Sequence, residues 1–291
     1  MKKLDIKKVR PLIRMAMEED LGGGDVTTDL LFQDGARAKA HIVTREEIVV
    51  AGLPVVEEIL RQYDERLKMT AYFCDGQSAH VGSKLATIEG PLRSMLSVER
   101  VMLNFLQRLS GIATTTSRYV RAIKGTKARI YDTRKTLPGW RLLEKYAVRC
   151  GGGYNHRLGL YDGVLIKDNH MAELGPNFPA RLHDVVKEAR KVKGIKFVAV
   201  EVDHVDDQLN HVLKIPGIDI VLLDNMGQWQ LKHAVEMRDA MCGKKRARPL
   251  LEASGNITLN NVSEIAQCGV DRIAVGAITH SAAAVDIGLD R

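Results

Sequence analysis

Six short apolar runs punctuate the second half of the chain, at 128–131, 163–166, 197–200, 218–223, 249–251 and 272–275. Stretches with helical spacing separate most of them, Leu182–Val192 and Gln228–Met241 among them. Strands alternating with helices at this spacing predict parallel pairing through right-handed crossovers. Each run empties into polar residues or glycine: Arg134-Lys135, Lys167, Glu201, Asp224, Ser254 and Gly276. Barrels and doubly wound sheets both do their chemistry at that end of the strands, so the pattern alone does not choose between them. Six evident units also fall short of the eight of a closed barrel.

The first half carries a different pattern. Val9, Leu12, Ile13, Ala16 and Met17 fall at helical spacing until Gly22-Gly23-Gly24 breaks it. Strand-like runs at 38–44, 47–51 and 84–88 flank a helical stretch from Pro54 to Arg66, which predicts a mixed α/β domain. A strong helix is predicted from Ser97. Its apolar face holds Val98, Val101, Met102, Phe105, Leu106 and Leu109, and Arg100, Asn104 and Gln107 lie opposite.

Composition narrows the class. With 291 residues, 45% of them hydrophobic, the chain can bury a large core in one or two domains. No apolar run approaches the roughly 18 residues that span a membrane. The basic start MKKLDIKKVR has no apolar stretch behind it, which argues against a signal peptide. Cys74, Cys150, Cys242 and Cys268 lie far apart with no C-x-x-C pair, against a zinc site or a disulfide framework. A cytoplasmic protein with no membrane partner is the expectation.

The net charge of +7 is unevenly spread. Residues 1–150 hold 26 Lys+Arg against 18 Asp+Glu, whereas residues 151–291 hold 17 against 18. Between Arg93 and Arg149 there are 13 basic residues and three acids. A nucleic-acid binder would interleave Lys/Arg runs with stacking aromatics, and no such run is present. The basic excess instead coincides with the segment YDTRKTLPGWRLLEKYAVRCGGGYNHRLGLYDGVLIKDNH, residues 131–170. Arg134, Lys135, Arg157 and Lys167, with His156, stand there at strand ends and after a glycine triplet, a pattern that suggests a pocket for a small polyanion. Arginine's planar fork can hold a carboxylate bidentately, and lysine offers a compact charge to phosphate. Gly151–Gly153 would let the backbone approach a ligand closely. Each of these features also has a bland reading: an exposed loop, an ordinary turn, a structural histidine.

DTRKT.PG.R followed by K.AV..GGG..NHR.GL.D..LIK.NH resembles the quinolinate phosphoribosyltransferases, the decarboxylating nicotinate-nucleotide pyrophosphorylases of NAD synthesis. The resemblance runs from EEDLGGGDVTTDLL through ERVMLNFLQRLSGIATTT to VGAITHSA, nearly the whole chain. It implies an α/β fold: an incomplete, open-faced α/β barrel at 113–276 and an N-terminal mixed α/β sandwich domain at 1–112, joined by 277–291. It implies transfer of a phosphoribosyl group from phosphoribosyl pyrophosphate to quinolinate, with release of CO₂ and pyrophosphate.

Residue by residue, the resemblance gives Arg134, His156 and Arg157 to the pyridine dicarboxylate, with Thr133 among the substrate-binding residues. Lys135 faces phosphoribosyl pyrophosphate, and Lys167 stands between the two substrates. Glu201 and Asp224 surround the ribose and a Mg²⁺ ion, whose preference for carboxylates plus substrate phosphates suits them. The bland alternative makes both of them helix N-caps. Backbone N–H groups at helix N-termini, in Ser254-Gly255-Asn256 and Val275-Gly276-Ala277, are expected to hold phosphate. Lys135, Lys167, Glu201 and Asp224 are the catalytic set. Arg100 is expected to cross a homodimer interface into the neighbour's site, and assembly beyond the dimer stays open. The enzymatic rival is a relative of the same fold acting on nicotinate without decarboxylation, which a two-arginine grip disfavours. The non-enzymatic rival is a nucleic-acid or metabolite-binding module, which Glu201 and Asp224 disfavour.

Overall fold

The computed structural model describes residues 4–175, 177–243 and 248–291. Its contacts divide the chain into two units. The first holds the chain up to Ser117, Thr136–Gly153 and Ile278–Arg291, and the second holds Arg118–Lys135 and Tyr154–Ala277.

The first unit contains β1 (Arg37–Thr44), β2 (Ile48–Val49), β3 (Lys68–Ala71), β4 (Ser78–Ala79), β5 (Lys84–Pro91) and β12 (Ile287–Asp290). Four of these form an antiparallel sheet in the order β12-β1-β5-β3, and β2 pairs with β4. Its helices are α1 (Arg10–Leu21), α2 (Val26–Leu31), α3 (Leu53–Tyr63), most of α4 (Leu92–Ala122) and α5 (Arg141–Cys150). The apolar face read for α4 is real: Val98, Val101, Met102, Phe105, Leu106 and Leu109 are all buried, and Arg100 and Asn104 are exposed. The helix starts at Leu92 rather than at Ser97. The Ser97 hydroxyl caps nothing and donates instead to Asp25 Oδ2 at 2.9 Å, and Leu92 and Met95 extend the buried stripe backwards.

The second unit is a six-stranded parallel sheet. Its strands are β6 (Arg129–Tyr131), β7 (Val164–Ile166), β8 (Val198–Val202), β9 (Ile220–Asp224), β10 (Leu250–Ser254) and β11 (Arg272–Ala274), in the order β6-β11-β10-β9-β8-β7. All five pairings are parallel, as the alternation of apolar runs and helices predicts. The first two strands in sequence stand on opposite edges, so the sheet does not close; Tyr154 bridges Tyr131 beside β6. Every residue of β8 is buried, as a strand covered on both faces requires. The intervening helices are α6 (Asp168–Leu174), α7 (Phe178–Ala189), α8 (Asn210–Val212), α9 (Gln228–Cys242) and α10 (Val262–Gln267), and the short α11 (Ala277–His280) follows β11. No helix among the described residues is long and apolar enough to cross a membrane.

Candidate active site

Because the six strands run parallel, their C-terminal ends share one edge of the sheet. That edge receives Thr133–Lys135 after β6, Lys167 after β7, Glu201 in β8 and Asp224 at the end of β9. Ser254 ends β10, and Val275–Ala277 follow β11. Arg100 belongs to the first unit, exposed on α4.

The cationic half is organised by Asp132, a fully buried carboxylate that composition and spacing did not single out. It accepts Asn155 Nδ2–H at 2.6 Å and the backbone N–H of His156 at 2.8 Å. Its own N–H donates to Tyr154 O at 3.0 Å, and Tyr154 N–H donates to Ile130 O at 2.8 Å. The segment 154–157 is thereby laid along β6, and Arg157 comes within electrostatic reach of Arg134. Arg157 is buried, with Nη1–H donating to Gly163 O at 3.1 Å. Burial, and then the charge of Arg134, hold its guanidinium below the usual arginine value, with Asp162 pulling the other way. Arginine stays protonated regardless, so the pair stores a positive potential that a dianion relieves.

Asp162 fixes the turn behind Arg157. It accepts the N–H groups of Leu158 (3.1 Å) and Gly159 (3.0 Å), and Lys196 Nζ lies at 2.7 Å. Burial raises its carboxyl, but Lys196 and the two N–H groups outweigh that and bring the pKa from 3.8 to about 2. A depressed carboxyl adds stability above its unfolded pKa and loses it as pH falls through the folded value, here about 2 kcal/mol disappearing between about pH 4 and pH 2. Urea unfolding should show Asp162→Asn weaker than wild type by about that amount at pH 7, with the gap nearly closed at pH 2.5. An equal gap at both pH values would deny the carboxylate this role.

The acidic half lies on β8 and β9. Lys167 Nζ is 3.2 Å from Glu201 Oε2. Glu201 is buried, and burial raises its carboxyl; Lys167 lowers it, and the nearby charge of Asp224 raises it again. Asp224 accepts Asn225 Nδ2–H at 2.6 Å, and Asn225 Oδ1 accepts Asn256 Nδ2–H at 3.1 Å. Asn225 and Asn256 both have positive φ, 52° and 50°, a conformation asparagine tolerates better than most residues. Gly255 beside them cannot be replaced freely, since a Cβ there would lie 2.1 Å from Asn225 Oδ1. Neither carboxylate caps a helix: the turns that follow start from His204 and Gly227. The capping alternative therefore falls away.

Two expectations about backbone groups meet a different geometry. Ser254–Asn256 form a turn, and the next helix, α10, starts only at Val262, so these N–H groups lie at no helix N-terminus. Val275 N–H donates to Tyr131 O at 2.8 Å and so closes the β6–β11 pairing; α11 begins two residues later with four residues. The glycine triplet permits close approach to protein rather than ligand. A Cβ on Gly151 would stand 2.3 Å from Ala113 O, and one on Gly153 would stand 2.8 Å from Thr116 Cγ2.

Residues 25–110 match the quinolinate phosphoribosyl transferase N-terminal domain, and residues 112–290 match the C-terminal domain. The chain is 39% identical over 291 residues to the probable nicotinate-nucleotide pyrophosphorylase (carboxylating) of Bacillus subtilis, covering all of this chain and 94% of that one. It is 43% identical to the nicotinate-nucleotide pyrophosphorylase (carboxylating) of Mycobacterium leprae, covering 97% and 96%. The solved nicotinate-nucleotide pyrophosphorylase of Francisella tularensis superimposes with a TM-score of 0.88 at 38% identity, covering 99% and 97%. The chain belongs to the quinolinate phosphoribosyltransferase family.

One cluster of this family member escapes sequence reading because its members are 96 or more residues of chain apart or hidden in apolar runs. Glu252, in the middle of β10, is fully buried. In the β10–β11 register it faces Arg272, whose Nε–H donates to Glu252 Oε2. The Arg272 guanidinium sits 3.6 Å over the ring of Tyr131, which packs on Tyr154 at 5.4 Å. His156 Nε2 stands 3.3 Å from Glu252 Oε1. Burial raises the Glu252 carboxyl, but His156 and Arg272 together bring it below its ordinary value, so it is ionised. The signal available in sequence was a lone acid inside the apolar run PLLEAS.

Proposed function

We propose that this chain catalyses decarboxylating phosphoribosyl transfer from phosphoribosyl pyrophosphate to quinolinate, giving nicotinate mononucleotide, CO₂ and pyrophosphate, in cytoplasmic NAD synthesis. The observation that carries this reading is the pairing of Arg134 with the buried Arg157. Two guanidinium groups held together against their repulsion suit a dicarboxylate better than the single carboxylate of nicotinate.

Both substrates are anions and repel one another in water. Arg134 and Arg157 orient the pyridine ring, and Lys135 and Lys167 offset the charge of the second substrate. As pyrophosphate leaves, positive charge develops at ribose C1, where the ring nitrogen attacks; Glu201 and Asp224 stabilise that charge and accept ribose hydroxyls. The quaternised nitrogen then takes up the electron pair left at C2 when the 2-carboxylate departs as CO₂, and a proton from solvent replaces it. No protein nucleophile is required.

Glu201 and Asp224 also fit a Mg²⁺ ion. Both are hard oxygen donors, and the raised Glu201 carboxyl marks an excess of negative charge that a cation relieves. Bound there, the ion supplies positive charge to the diphosphate. EDTA is expected to abolish turnover, and Asp224→Asn to raise the Mg²⁺ requirement or collapse kcat. Full activity in EDTA would defeat the metal assignment and leave the cationic pocket standing.

Arg100 completes the site from a second copy of the chain, so the working unit is a homodimer. The decisive assay is release of CO₂ from carboxyl-labelled quinolinate with and without phosphoribosyl pyrophosphate. Release that depends on the second substrate is expected; turnover of nicotinate with none of quinolinate would overturn the reading.

A further inference from the structure

His156 has two ring nitrogens, and protein groups meet both. Nδ1 accepts the backbone N–H of Arg157 at 2.8 Å, so Nδ1 carries no proton. Nε2 faces Glu252 Oε1 at 3.3 Å, and that buried oxygen has no aligned hydrogen bond of its own. An ionised carboxylate in such a place draws a proton to the nitrogen beside it. The two constraints act on different atoms and agree: the ring is neutral and protonated at Nε2. Its surroundings support the same state. Arg157 adjoins it in sequence, Arg272 lies across Glu252, Asp132 holds its backbone N–H, and the Phe197 ring meets it edge-on at 5.1 Å. With both nitrogens engaged inside the protein, no polar ring atom is left for a substrate carboxylate.

We propose that Glu252 is a positioning residue for the dicarboxylate pocket, and that His156 serves that pocket as a strut between Glu252 and the Arg157 backbone rather than as a ligand of the substrate. Through His156 the carboxylate holds the segment that presents Arg157. Through Arg272 and the Tyr131 ring it holds the end of β6, three residues before Arg134. One buried charge thus sets the separation of the two arginines. The identity of the pocket's ligand rests on the proposed function; the state of the ring does not.

The test has a spectroscopic arm and a kinetic arm. In protein carrying ¹⁵N-histidine, with His156→Gln used for assignment, the ring should give the widely split nitrogen signals of a neutral imidazole protonated at Nε2. That pattern should persist when quinolinate is added. A doubly protonated ring, protonation at Nδ1, or a change of protonation on adding quinolinate would overturn the proposal. Kinetically, Glu252→Gln should raise KM for quinolinate about tenfold while KM for phosphoribosyl pyrophosphate stays within about twofold. In a His156→Ala background the same change should add little, because partners in one network are not additive. Equal rises in both KM values, or fully additive losses, would reduce Glu252 to a general packing role and sink the assignment. Should wild type fail to turn over quinolinate at all, the proposed function falls, and the nitrogen signals still decide the strut.

Discussion

Arg134→Ala should lower kcat/KM for quinolinate by at least one to two orders of magnitude. A hydrogen bond to a charged group is worth about 1.5–3 kcal/mol, and the lost fork makes two of them in its bidentate form. The loss should be larger than a simple deletion implies in one respect and smaller in another. Removing Arg134 deprives the substrate of one cation, yet it also relieves Arg157 of the neighbour that holds its guanidinium down. The variant should therefore fold at least as well as wild type while binding poorly, a separation that thermal melting beside steady-state kinetics would expose. Arg134→Lys should recover only part of the loss, because a point charge cannot reproduce the planar fork. Wild-type kinetics in the alanine variant would remove Arg134 from the site.

Mixing two inactive proteins should restore activity. Arg100→Ala and Lys167→Ala are each expected to be nearly inactive, the first by losing the residue a subunit lends and the second by losing one that it keeps. Random re-pairing of equal amounts gives about half heterodimers, in which one site carries both defects and the other carries neither, so about a quarter of wild-type activity per site should return. If Arg100 served its own subunit, every site in the mixture would carry a defect. Continued inactivity after demonstrated subunit exchange would end the shared-site reading.

The strands of the second unit were legible because each is an apolar run closed by a charged residue or glycine, and a buried parallel strand leaves that mark. β3 and β12 were not: Lys68–Ala71 is mostly exposed, and Ile287–Asp290 is four residues whose pairing depends on β1. Helix α5 was passed over beside the louder charges around it. In the site, Arg134, Lys167, Glu201 and Asp224 announced themselves as charges at strand ends. Glu252 and Asp132 did not, since their role depends on register and on partners 20 to 96 residues away. Val275 shows the limit most plainly. Its N–H is donated to Tyr131 O, a backbone partner that no side-chain pattern reveals.

The pairing of β12 with β1 sets a schedule for the nascent chain. Arg45 and Asp290, ion-paired beside that seam, are 245 residues apart. At about 5–20 residues per second, roughly 10–50 s of translation separates them. Throughout that interval β1 can bond to β5 but shows its other edge, an eight-residue row of unpaired peptide groups, to the cytosol. Slower ribosomes lengthen the exposure. Yield in cells should therefore respond to chaperone supply and to codon choice downstream of β1, even where the finished protein's melting temperature does not change.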